Sequence, residues 1–264
     1  MTTTYEEFGM ITSYEDFVMN TRYSLSGLSY KILQYFISKI KPYDNTKENN
    51  IEKIDRTVLF RISEIGKEMI GTESSALVKK QIMKGLDDIM TSRFWSKKDV
   101  DGRSALIGRT WIQHIQLDEK CEYGKLIFSD VAIPYLLNMK ENFTNDALEE
   151  IREFKGLETG RIYEMIMSQK YKETFILDLK DLLWSLQLDK TNHYKEYRRF
   201  NEKFLAEAIK EINEYTLITV TYKPIGHPTE CISFTVKEKS DEEKERVLQQ
   251  REARSALFRE GSFA

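Results

Sequence analysis

The chain has 264 residues, 41% apolar and 12% aromatic with only four prolines, which excludes a fibrous or disordered protein and fits one large or two smaller globular domains. Its 43 acidic and 40 basic side chains leave a formal charge of −3, so indiscriminate coating of nucleic acid is excluded while a local basic face is not. No apolar run reaches the roughly 18–20 residues that span a bilayer, and MTTTYEEFGM lacks the basic-then-apolar layout of a signal peptide; a cytoplasmic protein is expected. Cys121 and Cys231 lie far apart without CxxC spacing and are expected to be reduced, half-buried thiols in strands.

In chain order, Ser24 to Ile40 sets Leu28, Ile32, Tyr35, Phe36 and Ile40 at helical spacing, with Ser26 as a cap, and predicts a core helix. After the polar loop KPYDNTKENN come a strand-like run TVLFRI and a short helix SEIGKEMIG closed by Gly71. Thr72 to about Thr91 predicts a second helix, with Val78, Ile82, Leu86 and Ile89 on one face and Lys79, Lys80 and Lys84 away from it. RFWSKKDVDGRSALI holds a strand and an Asp101-Gly102 turn, and RTWIQHIQLD and GKLIFSD alternate as strands.

The order then repeats. NFTNDALEEIREF and GRIYEMIMSQKY read as amphipathic helices, TFILDL as a strand and DLKDLLWSLQL as a short helix. A long helix follows over HYKEYRRFNEKFLAEAIKEINEYT, and LITVTYKP with ECISFTVKEK form a hairpin around IGHPT. The segment from 240 to 264 mixes both charge signs with few apolar positions and predicts a partly ordered exposed helix. The expected organisation is a first domain over 1–139, a second over 140–239 and a charged extension over 240–264, with the boundary near Met139 to Phe143.

A short helix, a long helix and a hairpin in that order make the plan of a winged helix-turn-helix, so the fold class expected is α+β, two tandem winged helix-turn-helix domains. On the long helix Tyr197, Phe200, Phe204, Ala208 and Ile212 fall on one side, and Lys195, Arg198, Arg199 and Glu202 on the other. A helix anchored along one stripe and carrying cations on the opposite one, near its N-terminal half, is what reading a major groove requires. The same pattern is also what a solubilising helix face looks like. Lys79, Lys80 and Lys84 are the weaker cluster, because Asp87 and Asp88 follow them.

Three groups of residues stand out together: Pro134, Tyr135, Leu136, Lys140, Phe143 and Thr144; Arg161, Tyr163 and Glu164; and Phe200, Leu205, Ala208, Ile209, Glu211, Ile212 and Asn213. In these the sequence resembles the initiator Rep proteins of iteron-containing, theta-replicating plasmids, most strongly from Ile133 to Val236 and in all from about Leu25 to Lys239. The resemblance implies a monomer that binds origin iterons in double-stranded DNA to start replication, and a homodimer in equilibrium with it that represses its own gene at an operator inverted repeat. It implies recruitment of a host helicase or initiation factors, and a dimer surface on the first-domain strands. By position, Lys195, Arg198, Arg199, Asn201 and Lys203 are the candidate base readers and Lys79, Lys80 and Lys84 follow the neighbouring groove, while Phe200 and Phe204 belong to the core.

Catalysis is not expected. His114, His193 and His227 are isolated, so no metal-ligand set accompanies a nicking tyrosine, and no GxxxxGK[ST] loop holds a nucleotide. No cofactor, metal or membrane partner is expected. Glu149 and Glu150 read as solvated residues on an exposed helix face, and Tyr35, Phe36 and Trp184 as core. The rivals are a winged-helix transcriptional regulator without a replication role and a protein-interaction scaffold, for which the basic face is dispensable.

Overall fold

The structure, a computed structural model, describes residues 14–40, 55–71, 75–100, 103–133, 135–137, 145–190, 194 and 196–260. The chain divides into two compact units, residues 1–148 and 149–264. The boundary expected at Met139 to Phe143 and the Asp101-Gly102 turn lie outside the described residues.

In unit 1, Ser26 caps helix α2 (Gly27–Lys39) by accepting from the Ser29 amide, after helix α1 (Tyr14–Asn20) and strand β1 (Thr21–Tyr23). Strand β2 (Thr57–Arg61), helix α3 (Ile62–Met69) and helix α4 (Ala76–Thr91) follow as the periodicity predicts, and α2, α3 and α4 pack together. Gly85 brings α4 close to α2: a Cβ there would stand 2.6 Å from Ile32 Cδ1. Strands β5 (Ile112–Leu117) and β6 (Tyr123–Phe128) form a hairpin and join β2 in the order β2-β6-β5.

Between α4 and that hairpin stands a second one, β3 (Arg93–Val100) and β4 (Arg103–Thr110), which builds a separate sheet β1-β3-β4. Neither α1 nor β1 was expected. They are placed by an aromatic cluster in which Trp111 lies 4.4 Å from Phe94 and 5.0 Å from Tyr23, and Phe17 lies 5.3 Å from Tyr135, ring centre to ring centre. Cys121 corrects another expectation. It stands in the turn between β5 and β6, with φ +49, rather than in a strand, whereas Cys231 is on a strand and half-buried as expected.

Helix α5 (Asn145–Glu153) carries the chain from unit 1 into unit 2, which continues with helix α6 (Leu157–Gln169), strand β7 (Thr174–Asp178), helix α7 (Leu179–Ser185), a long helix α8, and strands β8 (Ile218–Ile225) and β9 (Cys231–Glu238). Helix α8 runs as Tyr197–Phe200, a π-turn over Asn201–Leu205, and Ala206–Tyr215. The sheet order is β7-β9-β8, which repeats β2-β6-β5: a first strand, two helices, then a hairpin whose second strand enters the middle. Tyr35, Phe36 and Trp184 are buried as expected.

Two acidic-surface expectations fail in this unit. Glu150, read as solvated, is 5% exposed: it accepts from the Tyr163 hydroxyl and, at 2.8 Å, from the Leu217 amide. The final helix α9 (Asp241–Glu260) is not simply exposed, because Val247 and Arg251 are buried on its inner face and the Arg254 guanidinium lies 4.7 Å from the Tyr215 ring. Lys244 near its start also meets Glu238 at 3.0 Å, and Lys170 meets the same carboxylate at 2.9 Å. These two ammonium groups lower the Glu238 pKa to about 2. A lowered folded-state value stabilises the fold above the ordinary pKa of 4.5 and is lost as pH falls towards 2. Glu238→Gln is therefore expected to flatten acid unfolding between those limits, as followed by circular dichroism; an acid limb unchanged from wild type would contradict this.

Candidate nucleic-acid interface

Helix α8 is held on three sides. Phe200, Leu205, Ala208, Ile209 and Ile212 are buried, with Phe204 half-buried against the Tyr194 ring at 5.0 Å. The buried Glu211 accepts from the Lys155 amide at 3.2 Å and pairs with the Lys155 ammonium at 3.4 Å. Near its end, the Asn213 carboxamide accepts from the Val220 amide at 2.6 Å and donates to the Val220 carbonyl at 2.9 Å, which ties α8 to β8. Lys239 donates to the carbonyls of Asn213 and Thr216, where the helix dipole favours a cation.

The opposite side is open. The side chains of Arg198 and Arg199 are 86% and 49% exposed, and Lys203 and Lys210 are exposed beside them. Each arginine meets a carboxylate of its own helix, Arg198 with Glu202 at 2.9 Å and Arg199 with Glu196 at 3.3 Å. The Glu202 hydrogen bond and charge raise the Arg198 pKa further. Exposed pairs of this spacing are weak and screened by solvent, so a phosphate or a guanine edge competes for these guanidiniums at little cost. Asn201 stands half-buried on the flank of this face, where the Tyr222 hydroxyl donates to its Oδ1 at 2.6 Å. Tyr222 was given no role by the sequence; it sits on β8 opposite Phe234, and only the strand register brings it to α8. Lys195 lies outside the described residues.

In unit 1, α4 occupies the topological place of α8, and Ser75 caps it by accepting from the Val78 amide. Lys80 and Lys84 are exposed. Lys79 is half-buried and its ammonium donates to the Lys120 carbonyl, so the three lysines do not form one open patch. Asp88 accepts from the Ser26 amide at 3.0 Å and serves the start of α2. Among the described residues no group of three His, Cys, Asp or Glu is placed to hold a metal ion, and no helix is long and apolar enough to cross a membrane.

Residues 10–167 match the family model described as Initiator Replication protein, WH1, and residues 178–236 the model described as Initiator Rep protein, WH2. The chain belongs to the initiator Rep protein family. Two winged-helix domains, WH1 and WH2, are thus present, and the WH1 match continues past the division between the two compact units at residue 148, through α5 and most of α6. A "Replication initiation protein" of Escherichia coli is 26% identical over 227 residues, 82% of this chain and 66% of that protein, so this initiator-family chain spans just under two thirds of that relative's length. Among solved structures, the Pi initiator protein in complex with iteron DNA is similar in fold, with a TM-score of 0.51 at 15% identity over 84% of this chain and 99% of that one. Domains 2–3 of RctB give a TM-score of 0.45 at 15% identity, covering 85% of this chain and 87% of that one.

Proposed function

We propose that this initiator-family protein reads repeated double-stranded DNA at a plasmid origin with α8 in the major groove, and thereby starts replication. The observation that carries the reading is the Arg198 and Arg199 pair, exposed on a helix whose other side is anchored by Phe200, Ala208 and Ile212 and whose end is fastened to a wing. Arg pairs bidentately with the O6 and N7 of guanine, and the N-terminal half of a recognition helix is the part that reaches base edges. Arg198, Arg199, Asn201, Lys203 and Lys195 are the assigned readers. Lys80 and Lys84 on α4 supply sequence-independent phosphate binding, joined by Lys79 once it leaves the Lys120 carbonyl. The membership in the initiator family and the iteron DNA bound by the Pi protein support repeats, rather than a lone operator, as the target.

The finer scheme completes the proposal. The monomer engages the iterons, a homodimer in equilibrium with it binds an inverted repeat and represses the protein's own gene, and host helicase or initiation factors join at the origin. Such a protein acts in the cytoplasm, without a cofactor and without catalysis of its own.

The test is an electrophoretic shift with DNA flanking the coding sequence. Arg198→Ala/Arg199→Ala is expected to weaken specific binding by about 1–3 kcal/mol for each base-reading side chain removed, with a shallower salt dependence where phosphate pairing is removed as well. Wild-type affinity in the double variant would remove α8 as the reader. Binding to inverted repeats alone, and to no direct repeat, would leave a regulator in place of an initiator.

A further inference from the structure

The reading face contains one side chain whose chemistry depends on its neighbour. Asn201 opens the π-turn of α8, where its own carbonyl accepts from the Ala206 amide, and it lies three residues beyond Arg198 on the flank that faces the wing. A carboxamide offers one acceptor atom and one donor group of nearly the same shape, so when unanchored it presents either to a base. Here the Oδ1 is engaged at 2.6 Å by the Tyr222 hydroxyl. Tyr222 is itself fixed, half-buried on β8 with its ring 6.2 Å from that of Phe234, and burial raises its pKa, so the hydroxyl stays protonated and able to donate.

Resting on the reading that α8 enters the major groove, we propose that Tyr222 is a positioning residue that sets the hydrogen-bond polarity of Asn201. The Oδ1 is turned to the wing and the Nδ2 donors are left for the DNA. A donor finds a partner on guanine, adenine or thymine, each of which shows an acceptor in the major groove, and none on cytosine, which shows only the N4 donor. The position met by Asn201 therefore rejects cytosine while tolerating the other three bases. The wing then contributes to specificity through the reading helix.

The experiment is selection of bound sequences from a duplex library with a randomised centre, using the whole chain. The wild type is expected to deplete cytosine roughly tenfold at one position. Tyr222→Phe keeps the ring and loses the hydroxyl, so cytosine should return at that position alone while preferences elsewhere persist. Asn201→Ala should lose discrimination there, and Asn201→Asp, an acceptor only, should invert it in favour of cytosine. The Asp variant tests the polarity without disturbing the wing. A Tyr222→Phe profile identical to wild type at every position, or one uniformly weakened with unchanged preferences, overturns the inference, as does an unchanged profile for Asn201→Ala. Arg198→Ala/Arg199→Ala in the same library separates the two levels. If that double variant keeps the wild-type profile, the assignment of α8 fails; if it loses sequence preference while Tyr222→Phe changes nothing, only the role of Tyr222 fails.

Discussion

Arg161→Met is expected to lower the stability of unit 2 by about 3–5 kcal/mol. Arg161 and Glu164 are 1% and 0% exposed on α6, and their side chains meet at 2.5 Å. Removing the guanidinium leaves a carboxylate buried without its cation, which is far costlier than losing a surface pair. Amide exchange within α6 reads the effect: protection should fall a hundredfold or more under conditions where exchange follows global opening. Arg161→Met/Glu164→Leu should recover most of the stability, because both charges of the buried pair are then gone together. Wild-type protection in the single variant, or a double variant as unstable as the single one, would show that the pair does not hold α6.

The second large effect is expected from Arg251→Met, at about 3 kcal/mol, the lower end of the range for a broken buried pair. The Arg251 side chain is 8% exposed; it meets Glu149 at 3.2 Å, approaches Glu150 at 3.7 Å and donates to the Tyr215 carbonyl at 3.1 Å. After its removal Glu150 keeps the Tyr163 hydroxyl and the Leu217 amide, which moderates the cost. The consequence reaches beyond one residue. Helix α9 lies past residue 236, where the WH2 match ends, yet it supplies a counter-ion to the core of unit 2. Thermal unfolding should show Arg251→Met well below wild type and Glu252→Gln, on the exposed side of α9, close to it. Equal melting of all three would make α9 an appendage.

The long helices were legible because their cores are apolar stripes at helical spacing: Val78, Ile82, Leu86 and Ile89 on α4, and Phe200, Ala208 and Ile212 on α8, are all buried. Wings were legible as alternating runs. Helix α9 was misjudged because it docks through ion pairs and one valine, and charge does not announce which side faces inward. Glu150 failed for the same reason. Two adjacent carboxylates look alike in sequence, and what turns one inward is a tyrosine on α6, an amide before β8 and an arginine on α9. Strand β1 is three residues long and exists through pairing with β3, which no local pattern records.

The described residues on α6 and α8 that carried the family resemblance also turn out to be scaffold. Arg161 and Glu164 pair with each other, Tyr163 serves Glu150, and Asn213 fastens β8. None of these is on the open face. The likeness also placed the candidate readers on α8, and the exposed side of that helix carries Arg198, Arg199 and Lys203 among them. Asn201 shows the limit of that approach, since its surroundings depend on Tyr222, 21 residues away across the turn into the wing.

The central claim is that the guanidiniums of α8 meet guanine edges in the major groove. Methylation interference tests it most directly, because a methyl group on guanine N7 blocks that edge and nothing in the minor groove. On the repeats bound by the wild type, methylation at one or two guanines per repeat should abolish binding, and Arg198→Ala/Arg199→Ala should become indifferent to methylation at those same guanines. A wild type indifferent to every N7 methyl, or a double variant with the wild-type interference pattern, would contradict the account.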